Sequence, residues 1–161
     1  MRGQTAVEYL MTYGWAILII LIVAGVLAYY GIFAPAGFLG PTARGFGQVQ
    51  VLNPWSLSSS TGALTLNIEN RVGGTIAVTS INYTLTSGGT GSYGSDSLSC
   101  SSGCSSGTNV TTGTQAVFLG TPGTGPTGAS PGDSWTATVT IYYTFGTGSF
   151  SSTGTLSGTY S

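Results

Sequence analysis

The sequence predicts an α+β protein: one long hydrophobic α-helix at the N-terminus, then a small antiparallel β-sandwich. Three observations carry that prediction. Glu8 is the only charged residue between Arg2 and Arg44, and residues 9–38 are uncharged and mostly aliphatic or aromatic. Past residue 47 the apolar residues alternate with polar ones, the period of a half-buried strand. The composition also changes there, to Gly, Ser and Thr punctuated by turn residues.

The organisation reads as four parts. Residues 1–3 form a short basic leader. Residues 4–34 form a hydrophobic helix for assembly or membrane crossing. Residues 35–46 form a neck. Residues 47–161 form the sandwich. From Thr5 to about Phe33 there is no proline, and Leu, Ile and Ala are common. Such a helix is about 44 Å long at 1.5 Å per residue, enough to span a hydrocarbon core of about 30 Å. Apolar residues cover every face, so lipid or other helices must surround it. Gly14, Gly25 and Gly31 either permit close approach of neighbouring backbones or are ordinary glycines of a membrane helix. Pro35 disfavours helical geometry at Ala34 and ends the element. Arg2 on the near side marks a cytoplasmic N-terminus by the positive-inside tendency.

The strands follow in order. Residues 46–52 form the first. Leu64, Leu66 and Ile68 share one face of the next, and residues 70–74 are turn material. Residues 76–85 show two phases, Ile76 and Val78 and then Ile81, Tyr83 and Leu85. The change near Thr79 and Ser80 implies a β-bulge. Residues 115–119 form a short strand. Trp135, Ala137, Val139, Ile141 and Tyr143 share one face of the clearest strand, residues 134–144. Residues 149–159 close the series, with Phe150 and Leu156 on one face. Glycine-rich residues 88–113 and 120–132 read as surface loops. Strands separated by such turns argue for a small sandwich.

Charged residues are 4% of the chain, and the net charge is -1. No field attracts nucleic acid, so none is expected as a partner. A cytosolic protein this poor in charge would tend to aggregate. A surface of hydroxyls suits the outside of a cell or a lattice of subunits. Cys100 and Cys104 have no His or third Cys to complete a metal site. Their spacing and Ser/Gly surround also differ from those of a redox pair. A structural disulfide outside the cytoplasm is the expectation.

Arg2-Gly3 followed by Gln4-Thr5-Ala6-Val7-Glu8-Tyr9-Leu10 resembles the class III signal peptide of archaeal type IV pilins, and the run from Val7 to Leu18 resembles their Met-Glu-Tyr-Leu-Met-Thr-Tyr-Gly-Trp-Ala-Ile-Leu pattern. The resemblance is specific from Arg2 to about Val26. It implies cleavage by a prepilin peptidase between Gly3 and Gln4, and a mature chain beginning with Gln4. It implies assembly through Gln4 and Glu8, with the Glu8 carboxylate meeting a neighbour's terminal amine. It implies an immunoglobulin-like sandwich and a helical homopolymer, an extracellular surface filament drawn by pilus assembly machinery from a single-span membrane precursor. Two other readings of Glu8 remain: a headgroup-level carboxylate, or one favoured by the helix macrodipole.

No enzyme constellation is visible. Glu69, Asp96 and Asp133 are scattered over separate segments, and the serines have no adjacent base. No cofactor is called for. Asn82-Tyr83-Thr84 and Asn109-Val110-Thr111 are N-glycosylation sequons, Asn109 in a loop and Asn82 on a strand. Two other functions compete with an adhesive pilus. One is an archaellum-type motility filament. The other is a membrane-anchored or minor-pilin binding module for sugar or DNA, which would need an exposed aromatic cluster, with Trp55, Tyr93 and Tyr160 as candidates.

Overall fold

The computed structural model describes residues 4–29, 40–94, 97–122 and 124–161. The leader at residues 1–3 with Gly3, the helix end and neck over residues 30–39, and Asp96 lie outside the described residues. The chain divides into two compact units, Met1–Leu39 and Gly40–Ser161.

The first unit holds α1, Gln4–Tyr29. Its stretch Val7–Tyr29 is long and apolar enough to cross a membrane. At 1.5 Å per residue those 23 residues span about 35 Å. Leu18, Ile19, Ile20, Leu21 and Ile22 are consecutive, and each is between 46% and 66% exposed. Five consecutive helical residues sweep more than a full turn, so no face of this helix is polar. A Cβ added at Gly14 or Gly25 would meet nothing within 4 Å. Contacts inside this chain therefore do not require glycine at either position.

The second unit is an antiparallel two-sheet sandwich. Its strands are β1 (Thr42–Arg44), β2 (Val49–Leu57), β3 (Leu64–Asn70), β4 (Ile76–Ser87), β5 (Ser92–Gly94), β6 (Ser97–Ser102), β7 (Asn109–Val110), β8 (Gln115–Thr121), β9 (Ser134–Phe145) and β10 (Gly148–Thr159). One sheet runs β1-β10-β9-β4-β5, with β7 also pairing β4, and the other runs β2-β3-β8-β6. Period two sorts the side chains. Leu64, Leu66 and Ile68 of β3 face Trp135, Ala137, Val139 and Ile141 of β9 across a single core, all buried. The register of β4 against β9 slips between Val78 and Ser80, where the phase of its apolar residues changes. A bulge there lets both phases point inward.

Four expectations need correction. A strand, β1, lies inside the range assigned to the neck and pairs Thr42–Arg44 with Ser157–Thr155 of β10. Residues 88–113 are not an open loop, since β5, β6 and β7 lie there, each held by a neighbour's backbone. Pairing overrides the weak strand preference of Gly and Ser, because strand propensity depends on context. The last residues of β8 and the Thr90–Thr127 bridge likewise order part of residues 120–132. Phe150 has the parity of buried Leu156 yet is 49% exposed. It stands beyond the core at the end of the β9–β10 hairpin, stacked on Tyr143 with ring centroids 5.9 Å apart.

Polar side chains close the sandwich at two points. Asn70 is fully buried. Its Nδ2 donates to the carbonyls of Gly74 at 2.9 Å and Val110 at 2.8 Å, and its Oδ1 accepts from the Val72 N–H at 2.8 Å. Ser152 donates to the Val49 carbonyl at 2.9 Å and accepts from the Gly47 N–H at 3.0 Å, tying β10 to the start of β2.

Candidate functional site

The first candidate is the surface of α1. Glu8 is its only charged residue and is exposed. The helix begins by Gln4, so Glu8 sits in the second turn, where the field of the helix N-terminus has weakened. The macrodipole alone therefore holds this carboxylate poorly, and a partner outside the helix would do more. One turn on, the Thr12 hydroxyl donates to the Glu8 carbonyl at 2.9 Å. Tyr9 and Tyr13, four residues apart, stack with centroids 4.4 Å apart, as the i, i+4 spacing allows. Backbone groups in the helix interior are satisfied within it, and the side chains present hydrocarbon and aromatic rings outward. Such a surface gains free energy from any contact that removes it from water, at about 25 cal/mol per Å² of apolar area.

The cysteines form a disulfide, with Cα atoms 6.4 Å apart. Cys100 lies on β6 where its register against β8 slips, and both cysteines pack against the edge of the core. Gly103 between them has φ +81°, and a Cβ there would strike the Gln115 carbonyl oxygen. Only glycine suits that corner.

Asn82 is half-exposed in the middle of β4, with Gly94 of β5 and Thr140 of β9 as its cross-strand neighbours. Asn109 is also half-exposed, but it belongs to β7 rather than to a loop. Its N–H donates to Ser106 and its carbonyl accepts from Ser105, both at 2.9 Å. Among the acids, Glu69 pairs with Arg71 at 2.9 Å, and Asp133 accepts from the Ser130 N–H at 3.1 Å. These contacts do not bring the two carboxylates together.

The aromatic residues named from the sequence do not form an exposed cluster. Trp55 is half-buried and donates its Nε1–H to the Ser157 carbonyl. Tyr93 is half-buried, its hydroxyl between the carbonyls of Thr90 and Gly125. Tyr160 is buried beside Trp135, and its hydroxyl has no hydrogen-bond partner among the described residues. Tyr83, buried beneath Tyr93, donates to the Gly62 carbonyl at 2.7 Å. Burial, and then the neighbouring phenols of Tyr93 and Tyr160, push the Tyr83 hydroxyl well above the usual tyrosine range. Burial also raises Tyr160, with smaller contributions from Tyr93 and Asp133.

Exposed aromatic residues lie elsewhere on the sandwich. Tyr142, Phe145 and Phe150 gather at the β9–β10 hairpin, 40–49% exposed. A shallow cavity of about 280 Å³ there is lined by Tyr142, Ser149, Phe150 and Ser151. Sequence reasoning missed it because Phe150 has core parity. The signal that could have found it is the pair of adjacent tyrosines, Tyr142-Tyr143, which places one ring on each face of β9. The chain matches no protein-family model and no curated protein with which it was compared.

Proposed function

We propose that this chain is a structural subunit of an extracellular type IV pilus-like filament, polymerised through a bundle of its N-terminal helices and serving adhesion. The observation that carries the reading is the outward-facing hydrocarbon of α1 beside a sandwich that buries its own apolar residues. The helix has large apolar surface to cover and the sandwich has little. A bundle of like helices covers it, and so does a bilayer before assembly, which accounts for a membrane-resident precursor. The resemblance of residues 2–26 to archaeal type IV pilins supports the same reading and supplies the cut between Gly3 and Gln4. Glu8 then meets the amine of a neighbouring Gln4, a charge pair enclosed by apolar helices. Asn82 and Asn109 are offered as glycan carriers on the filament's outer surface.

The test is to shear filaments from cells and sequence their dominant protein from its N-terminus. This chain beginning at Gln4 is the expected result. Filaments lacking it, or a chain that stays in the membrane fraction, would overturn the proposal. Glu8→Ala should sharply lower filament yield while leaving the melting of the sandwich unchanged.

A further inference from the structure

We infer that the end of the β9–β10 hairpin docks onto the sandwich of a neighbouring copy of this chain, against the outer face of its β2-β3-β8 sheet. The inference rests on the filament reading and names the surfaces through which neighbouring sandwiches meet.

The strand register builds the docking end. Tyr143 pairs with Phe150, and Phe145 with Gly148. Side chains alternate along a strand and opposed residues share a face. Tyr143, Phe145 and Phe150 therefore stand together on the core-side face of their sheet. Phe150 stacks on Tyr143, and its ring reaches over Gly148, where a Cβ would strike it. The Phe145 ring reaches over Gly74 in the same way. Buried Tyr143 anchors this ledge, yet Phe145 is 40% and Phe150 49% exposed. Further along the same face Ile141 and Leu156 are fully covered and belong to the core. The chain enters the sandwich at Thr42, which pairs with Ser157. Seven residues of β10 lie between that level and Phe150, about 23 Å at 3.3 Å per residue. The ledge thus stands at the end of the sandwich remote from that entry.

Area identifies the occupant. An aromatic side chain offers roughly 200 Å², so the exposed fractions of Phe145 and Phe150 leave about 180 Å² uncovered. A stable complex of free proteins buries about 800 Å² on each partner. The ledge is too small to capture a partner from solution. It suffices for a surface already held beside it, because tethering makes the second contact intramolecular and raises its effective concentration to the order of mM. In the filament the bundle of N-terminal helices does that holding, and the molecule held is another copy of this chain.

A helical polymer joins its copies head to tail, so the surface that receives the ledge differs from the ledge itself. The outer face of the β2-β3-β8 sheet supplies it. Leu52, Val117 and Leu119 alternate with buried Val51, Ala116 and Phe118, and so point away from the core. Leu52 and Val117 flank Asn67 in one row, and Leu119 stands in the next, opposite Thr65. All three apolar side chains are half-buried, a low strip of methyl groups on a face whose other members are polar. At the end of the strip Glu69 already has its partner in Arg71. A flat aromatic ring laid on this strip covers hydrocarbon with hydrocarbon and strands no charge.

The experiment replaces Phe150 of the full chain with the photo-reactive residue p-benzoylphenylalanine. Filaments sheared from cells, and the same chain dispersed in amine-oxide micelles, are irradiated and their adducts mapped by mass spectrometry. We expect chain-to-chain adducts from β10 to β2, β3 or β8 in filaments and none in micelles. Substitution supplies a second measurement. Phe145→Ser with Phe150→Ser, and separately Val117→Ser with Leu119→Ser, should each give filaments that dissociate in detergent about tenfold faster or more. Combining the two pairs should accelerate dissociation by less than the product of their effects, because both remove one contact. An unchanged near-ultraviolet circular dichroism spectrum of the dispersed chain certifies the fold of each variant. Filaments of this chain that yield no chain-to-chain adduct, or adducts on another surface or a different protein, overturn the contact alone. Equal dissociation rates for the parent and the phenylalanine variant also overturn it. Filaments that lack this chain overturn the filament reading, and this contact with it.

Discussion

The helix and the sandwich solve the burial problem in opposite ways. In the sandwich, period-two strands turn Ile68, Phe118, Val139 and Leu156 onto one core, each with no exposed surface. In α1 the aliphatic residues around Ile20 remain about half exposed or more on every face. The sandwich can satisfy its hydrophobic residues within one chain, because two sheets enclose a volume. A single helix encloses none. The difference teaches that the sandwich's stability belongs to the chain, while the helix's stability belongs to whatever surrounds it.

The strongest way to break that comparison is to remove α1. A chain beginning at Gly40, just before β1, should be a soluble monomer by light scattering and form no filaments in electron micrographs. Filaments from it would move the drive for assembly to the sandwich. The next test makes one substitution in both regions. Ile68→Ala should lower the unfolding free energy of the sandwich by about 2–5 kcal/mol. Ile20→Ala should leave sandwich unfolding unchanged and weaken assembly. Equal effects on the sandwich would show that the two units share one stability.

Smaller effects sharpen the account of the sandwich. Asn70→Ala removes three hydrogen bonds and leaves the Gly74 and Val110 carbonyls without their partner. At about 1–3 kcal/mol for each buried group left unsatisfied, a loss of about 3 kcal/mol in denaturant unfolding is expected. The Cys100–Cys104 bridge closes a loop of a few residues. Chain entropy assigns it about 2 kcal/mol, so reduced and oxidised chains should differ by no more than that in urea midpoint stability.

The smallest effects concern the buried tyrosines and have a definite sign with pH. Their folded pKa values lie above the ordinary value of about 10. Above that pH the unfolded chain loses phenolic protons that the folded chain keeps, so the sandwich loses stability as pH rises from about 10. Below it these groups contribute no pH dependence. Tyr83→Phe should cost about 1 kcal/mol at neutral pH through loss of the Gly62 bond, and should flatten the alkaline decline. Tyr160→Phe removes a buried hydroxyl without a partner among the described residues and should cost nothing at neutral pH. Thermal melts from pH 7 to about 11 check both.

By itself the sequence determined what depends on local period. The helix is legible because nothing between Tyr9 and Tyr29 is charged and no proline interrupts it. β3 and β9 are legible because Leu64, Leu66 and Ile68, and Trp135 through Tyr143, alternate without error. The bulge in β4 follows from a change of phase at Ser80. Tertiary structure decided the rest. β5, β6 and β7 exist because stronger strands offer them backbone partners; the Gly and Ser of β5 and β6 and the two residues of β7 carry no signal of it. Asn70 has the composition of a turn, and it became a buried anchor only when β7 brought the Val110 carbonyl to it. Phe150 and Tyr160 show the limit most plainly. Phe150 has core parity and is exposed, while Tyr160 at the chain's end is buried. A strand's period states which face a side chain takes. Whether that face is covered depends on where the opposite sheet ends, and that is set by the pairing of segments far apart in the chain.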